Sequence, residues 1–349
     1  MSLITYNGKI VNFGGKYVYR IEQPSVGQWV EYGLFTGMFF ADIVSTPSYV
    51  LMCGYDNSLE TVIVKSTDDG STWIEKTSPV GIAQFTRMSS PSPSTIYISG
   101  TGDGEVPVLL KSNDSGENWV SINTNIDTSY CHFNTVYFID NSIGWVAGED
   151  QLNPGGNPRV VISHTTDGGN TWQQQGQSLD YGYISAIHFV DASRGWFVGF
   201  DITNTLVVGD TSNGGGSWNT QVLSSYTSQY ATGITFVDSS HGWLSSYGGD
   251  QIILATSDGG QNWIDRSPQN LEPGTLDNIV FSSISNGWGV GVQTNYEVTY
   301  LIKTTNGGVD WTIDFSTGNG VSLYALSRDI KFISGQDTLA DGHLYKYIQ

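Results

Sequence analysis

At 349 residues with a formal net charge of −19 at pH 7, the chain offers no basic surface for nucleic acid or for an anionic membrane. Charged residues are 13% of it, against roughly 25% in ordinary proteins, and Ser, Thr, Asn and Gly fill the gap. Two cysteines, Cys53 and Cys131, with no C-x-x-C and no Cys/His cluster, exclude a disulfide framework and a zinc centre.

In chain order, Met1 to Gly8 lacks the charged and apolar regions of a signal peptide. No stretch reaches the ~18 apolar residues of a membrane helix. Residues 1–15 read as a strand or as a docking arm, with the domain proper expected over 16–349. Gln23 to Gln28, ahead of Trp29, is a decayed form of a phrase that then recurs six times: Ser/Thr, any residue, Asp/Asn, any residue, Gly, two more, Trp. The copies run from Ser66 to Trp73, Ser112 to Trp119, Thr165 to Trp172, Thr211 to Trp218, Thr256 to Trp263 and Thr304 to Trp311. Their tryptophans are 46, 53, 46, 45 and 48 residues apart, and Trp29 lies 44 before Trp73. A fixed period in this range marks a repeat architecture. Physically, the Asp or Asn side chain accepts backbone N–H groups just ahead of it, the Gly supplies a positive φ, and the Trp opens the outgoing strand.

A second phrase precedes most boxes: Phe138-Ile139-Asp140 with Gly144-Trp145, Phe189-Val190-Asp191 with Gly195-Trp196, and Phe236-Val237-Asp238 with Gly242-Trp243. A weaker copy is Phe281-Ser282-Ser283 with Gly287-Trp288. Each unit then holds four strands: A ending at the Phe, B opening at Gly-Trp, C before the box and D from the box Trp. Four antiparallel strands per ~45 residues is a propeller blade. The expectation is an all-β, seven-bladed β-propeller whose last blade is closed by both termini. Asp329 to Ile333 reads as its strand A, His343 to Tyr347 as a further strand, and Trp29 as the start of its strand D.

The boxes resemble Asp-box repeats, also called bacterial neuraminidase repeats. With the Phe-x-Asp…Gly-Trp phrase, residues ~16 to 349 resemble the photosystem II assembly and stability factor family of propellers. That resemblance implies a fold rather than a function, because sialidases, xyloglucanases, sorting receptors and adhesins share the box as a structural turn. Tyr6 to Val11 followed by Gly14 to Val18 resembles a segment opening several virion proteins of tailed phages of Bacteroidetes, including crAss-like phages.

The C–D turns of a blade share a face with the A–B turns. The box residues Asp68, Asp114, Asp167, Asn213, Asp258 and Asn306, with Trp73, Trp119, Trp172, Trp218, Trp263 and Trp311, are therefore expected to be scaffold on a lower face. Recognition falls to the B–C and D–A loops of the upper face. The B–C loops carry Asp56 and Glu60, Asp103 and Glu105, Glu149 and Asp150, Asp201, Asp250 and Glu297. These acids read either as a cation or basic-partner site or as solvated loop ends; no Asp-x-Asp-x-Asp spacing marks a calcium loop. The D–A loops carry Tyr130, Tyr181, Tyr183, Tyr226, Tyr230 and Tyr324, which read either as a stacking surface for a ligand such as a sugar or as packing at strand A starts. The longest insertion, Gln151 to Pro158, is expected to stand above the upper face.

A sialidase resemblance implies three substrate-binding arginines. Of the six present, Arg194 falls in an A–B turn and Arg266 on strand D, leaving Arg87, Arg159 and Arg328 to reach the upper face; the sixth is Arg20. No Arg-Ile-Pro phrase, no Ser/His/Asp order and no phosphate loop is present, and the five histidines form no obvious cluster. The expectation is no catalytic residue, no metal and no cofactor. The reading is a non-catalytic binding or structural propeller: a phage tail or head appendage, in which the upper face meets host glycan or another virion protein. Its localisation is then the virion, after synthesis in the host cytoplasm, or an extracellular or periplasmic site if the start is truncated. It is expected to bind no nucleic acid, to insert into no membrane and to suit a multimeric assembly. The alternatives are a protein-binding propeller like the photosystem II assembly factor, for which export and an arginine-rich patch are expected, and a sialidase-like glycoside hydrolase.

Overall fold

A computed structural model describes residues 11–13, 16–19, 28–126, 131–151, 158–176, 182–248, 252–268, 274–293, 299–317, 322–326, 332–336 and 342–348. Its strands form seven antiparallel sheets, each ordered A-B-C-D from the inside outward. Blade 1 consists of Met38–Ser45, Val50–Asp56, Thr61–Ser66 and Ile74–Lys76. Blade 2 follows with Ile82–Ser89, Ile96–Gly102, Val106–Ser112 and Val120–Ser121. Blade 3 is Cys131–Phe138, Gly144–Asp150, Arg159–Thr165 and Gln173–Gln175. Blade 4 is Tyr183–Phe189, Gly195–Phe200, Thr205–Thr211 and Asn219–Thr227. Blade 5 is Tyr230–Phe236, Gly242–Tyr247, Ile252–Thr256 and Ile264–Asp265, and blade 6 is Gly274–Phe281, Gly287–Gln293, Thr299–Thr304 and Thr312–Thr317.

Blade 7 joins both ends of the chain. Its strands A to C are Ser322–Leu326, Phe332–Gln336 and Gly342–Ile348, and Gln28–Phe35 pairs with the last of these as strand D. Every strand A packs against the next around the ring, including blade 7 against blade 1, so the seven-bladed toroid is closed. Lys16–Tyr19 and Val11–Phe13 add two strands beyond strand D of blade 7. The placement of strand A at Asp329 to Ile333 needs correction, because Phe332 and Ile333 begin strand B. This blade lacks the Gly-Trp that marks strand B elsewhere, so an apolar run there carries no position label.

The recurring residues cement the blades together. In the third box, the Thr165 hydroxyl donates to Asp167 at 2.9 Å and accepts the Gly169 N–H at 2.9 Å. Asp167 also accepts the Thr171 N–H at 2.8 Å and its hydroxyl at 2.6 Å. The box Trp Nε1 donates to the Gly carbonyl of its own turn in the first and third boxes, at 3.0 and 3.1 Å. The Gly-Trp tryptophans instead reach the following blade: Trp145, Trp196 and Trp243 donate to the carbonyls of Gly214, Gly259 and Gly307 at 3.0, 2.9 and 3.0 Å. The same rings lie flat on the Phe ending the next strand A, with centroids 3.5 Å apart for Trp145–Phe189 and 3.6 Å for Trp196–Phe236 and Trp243–Phe281. Each Phe also meets its own box Trp edge-on, as in Phe189–Trp218 at 6.0 Å. Cys53 and Cys131 are buried thiols, as small core residues.

Candidate functional site: the mouth of the axial channel

The seven strands A line a channel along the ring axis, and each carries a bulge at an equivalent place. The extra residues are Ala41, Thr86, Asn134, Ser185, Thr232, Asp277 and Tyr324. A bulge re-aims one side chain, and here it stitches neighbouring blades. Thr86 donates to the Phe133 carbonyl at 2.7 Å, Asn134 to Ile184 at 3.0 Å and Thr232 to Leu276 at 2.6 Å.

The channel holds two chambers. The upper, about 570 Å³, is lined by strand A residues of six successive blades, among them Phe39, Gln84, Asn134, Tyr183, Tyr230 and Asp277. Phe200 and Tyr247 join them from strands B. The rings run together as a wall, with centroid distances of 4.7 Å for Tyr183–Phe200, 5.1 Å for Phe200–Tyr230 and 5.2 Å for Tyr230–Tyr247. Across the mouth, Phe39 packs on Tyr55 at 4.7 Å. Arg87 and Thr232 line both chambers and so mark the waist.

Two carboxyls here have unusual titration. Burial pushes Asp277 up to about 7, against the Thr275 hydroxyl, which bonds it at 3.3 Å, and the Arg87 charge. Burial also pushes Glu149 up to about 7, against hydrogen bonds from Asn134 and Gln151. Glu149 lies between blades 3 and 4, with His132 Nδ1 at 3.5 Å. Asn134 bridges this acid to blade 4, donating both to Glu149 and to the Ile184 carbonyl.

Of the tyrosines singled out from sequence, Tyr183 and Tyr230 line the upper chamber. Tyr226 lies on the outer strand D of blade 4, packed against the core shared by blades 4 and 5. Tyr130, Tyr181 and Asp250 lie outside the described residues; Tyr324 falls on strand A of blade 7, and its side chain also lies outside them. The remaining loop acids are spread around the ring. Asp56 is occupied by the N–H groups of Ser58 and Glu60 at 2.8 and 3.2 Å, and Asp201 by those of Thr203 and Thr205 at 2.8 and 3.0 Å. Asp103 is exposed in its turn, and Asp150 stands opposite Arg159 at the end of strand B. Among the described residues, no group of three or more His, Cys, Asp or Glu side chains is placed to hold a metal. Arg194 is occupied on the lower face by Asp210 at 2.6 Å and the Gly259 carbonyl at 2.9 Å.

Sequence reasoning passed over Phe39, Gln84, Asn134, Phe200, Tyr247 and Asp277, and ascribed no channel role to Arg87. One signal was available. Asn134, Ser185, Thr232 and Asp277 each stand four residues before the Phe of the second phrase.

A closed seven-bladed ring with six of these boxes makes the chain an Asp-box β-propeller. Residues 221–319 match the family model described as photosynthesis system II assembly factor YCF48. A solved structure of YCF48 bound to a D1 peptide is similar at 16% identity and a TM-score of 0.64, covering 95% of this chain and 99% of that one. YCF48 from Cyanidioschyzon merolae is similar at 16% identity and a TM-score of 0.63, covering 91% and 98%. Virginiamycin B lyase from Staphylococcus aureus is similar at 13% identity and a TM-score of 0.63, covering 89% and 95%. These identities speak to the fold. No curated protein matches the sequence.

Proposed function

We propose that the protein is a non-catalytic, protein-binding propeller of the assembly-factor kind, and that the upper channel mouth receives a segment of its partner. The aromatic wall of Tyr183, Phe200, Tyr230 and Tyr247 carries this reading. Rigid rings give contact area at low entropic cost, while Gln84 offers a donor and an acceptor, and Asn134 and Thr232 acceptor oxygens, to a peptide backbone. Two comparisons support it: the family match over residues 221–319, and the similar fold of a YCF48 structure that holds a D1 peptide. Neither lends support to the virion and glycan readings favoured from sequence alone. Selection from a displayed peptide library tests the proposal. Enriched peptides should bind the wild type and lose roughly tenfold or more in affinity with Tyr183→Ala/Tyr230→Ala, as expected for interface aromatics. Recovery of glycan ligands from an array, with no peptide enriched, refutes it.

The virion reading rests on the likeness of Tyr6 to Val18 to phage virion proteins. The hairpin of Val11–Phe13 and Lys16–Tyr19 on the rim of blade 7 gives that segment a place to dock the ring onto another chain. Mass spectrometry of purified particles tests this reading.

A further inference from the structure

The turn joining strands B and C is built alike in blades 1 and 4. The Asp56 and Asp201 N–H groups donate to the carbonyls of Glu60 and Thr205 at 2.9 and 3.0 Å, and the Leu59 and Asn204 N–H groups donate back to the carbonyls of Asp56 and Asp201 at 2.8 and 2.9 Å. Leu59 and Asn204 are both left-handed, with φ of 62° and 58°. Asparagine tolerates that conformation, whereas a bulky side chain is strained by it. Leu59 is nevertheless 72% exposed, so burial within the chain does not offset the strain. Strain that the fold leaves uncompensated is a mark of binding sites.

Leu59 has aliphatic company. Val80, in the loop from blade 1 to blade 2, is 99% exposed, and Val106, opening strand C of blade 2, is 39% exposed. Two links tie these segments into one stretch of the upper rim. Ser78 meets Thr61 through their hydroxyls at 3.3 Å, and the Asp103 N–H donates to the Gly81 carbonyl at 3.0 Å. A Cβ on Gly102 would stand 2.9 Å from that carbonyl and 3.0 Å from a Val106 methyl, so the loop and the blade 2 turn touch. Glu60, Asp103 and Glu105 are exposed along the same stretch and enter no ion pair among the described residues. Residues 53–64, 77–86 and 101–108 contain no Lys or Arg. The rim continues the channel mouth: Gln84, just after Val80, lines the upper chamber, and Tyr55, just before the Asp56 turn, packs on Phe39.

Exposed aliphatic side chains bordered by free carboxylates are complementary to an aliphatic side chain flanked by cations. We propose that the upper rim of blades 1 and 2 holds a stretch of the partner segment in which a leucine, isoleucine, valine or methionine is flanked by lysine or arginine. The proposal rests on the protein-binding reading of the upper mouth and names the chemistry of the segment where it leaves that mouth.

Selection from a displayed peptide library on the full chain, followed by titration of the enriched peptides, tests it. The enriched sequences should carry the aliphatic–basic pattern. Leu59→Asn, which gives blade 1 the residue that blade 4 uses, should raise the urea midpoint by relieving the left-handed leucine. Leu59→Asn/Val80→Ser should nevertheless weaken the peptides roughly tenfold; both side chains are exposed, so the variant keeps its fold. Glu60→Lys/Glu105→Lys should weaken them similarly and flatten their salt dependence. Enriched peptides that lack the pattern, or that bind Leu59→Asn/Val80→Ser as tightly as the wild type, overturn this proposal; if Tyr183→Ala/Tyr230→Ala still weakens them, the reading of the mouth survives. Enrichment of no peptide overturns both.

Discussion

Replacing Gly195 with Ala should destabilise the ring, although strand propensity favours the opposite sign. Gly195 opens strand B of blade 4 without a positive φ, so removing its backbone freedom would ordinarily stabilise by roughly 0.4–1 kcal/mol. A Cβ there would stand 2.3 Å from two carbons of the Phe189 ring. The ring cannot give way, because Trp145 of blade 3 covers one face at 3.5 Å and Trp218 presses its edge at 6.0 Å. Phe189 is only 1% exposed. Overpacking of this sort costs about 1–3 kcal/mol, and the rigid surroundings place the expected loss at about 2–3 kcal/mol. Urea denaturation followed by circular dichroism measures it, with Phe189→Leu and the double variant completing a cycle. In the Leu background the added methyl should cost less than about 0.5 kcal/mol, giving a coupling of about 2 kcal/mol. The reasoning fails if Gly195→Ala is as stable as the wild type, or if its cost is the same with Leu at 189.

The remaining expectations concern pH. Hydrogen bonds from the Asn118 side chain and backbone hold Asp114 down to about 2, so the folded chain binds this proton less readily than the unfolded one. Its contribution is complete above about pH 4 and is lost as the pH falls through about 2; Asp114→Asn should flatten that acid limb in melting curves. Asp277 has the opposite sign. With its carboxyl raised to about 7, the folded chain binds the extra proton, so stability declines as the pH climbs from about 4 and levels off above about 7. Asp277→Asn should remove its share of this slope, Glu149 supplying the rest, since an amide is neutral and can donate as Thr232 does at the same bulge position; an unchanged slope between pH 5 and 8 would show that Asp277 is not one of its sources.

The fold was legible because each blade repeats chemistry that only one geometry satisfies. An Asp with a Gly two residues on and a Trp five residues on specifies the C–D turn, and Phe-x-Asp…Gly-Trp specifies the A–B turn. What the text of the sequence hides is that these phrases belong to two blades at once. Trp196 is counted in blade 4 but spends its ring on Phe236 and its N–H on Gly259, both of blade 5. Blade 7 lacks these labels, which is why its first strand was misplaced. The candidate site was only half legible. Tyr183 and Tyr230 stood out as aromatic residues near loop ends, whereas Asn134 and Asp277 face the axis only because a bulge shifts the alternation of strand A. A simple two-residue period does not anticipate that shift.

The union of chain ends in blade 7 sets a timetable for biogenesis. Glu31 and His343 meet across strands D and C of that blade, 312 residues apart. At common ribosome speeds, roughly 15 to 60 s separate their emergence. Throughout that interval the strand bearing Trp29, Tyr32 and Phe35, all buried once folding is complete, has only Lys16–Tyr19 beside it within its own sheet, and its edge toward Gly342–Ile348 stays unpaired. A nascent chain of this design waits with an adhesive edge exposed, and its yield in a cell depends on what shields that edge until the final strand is synthesised.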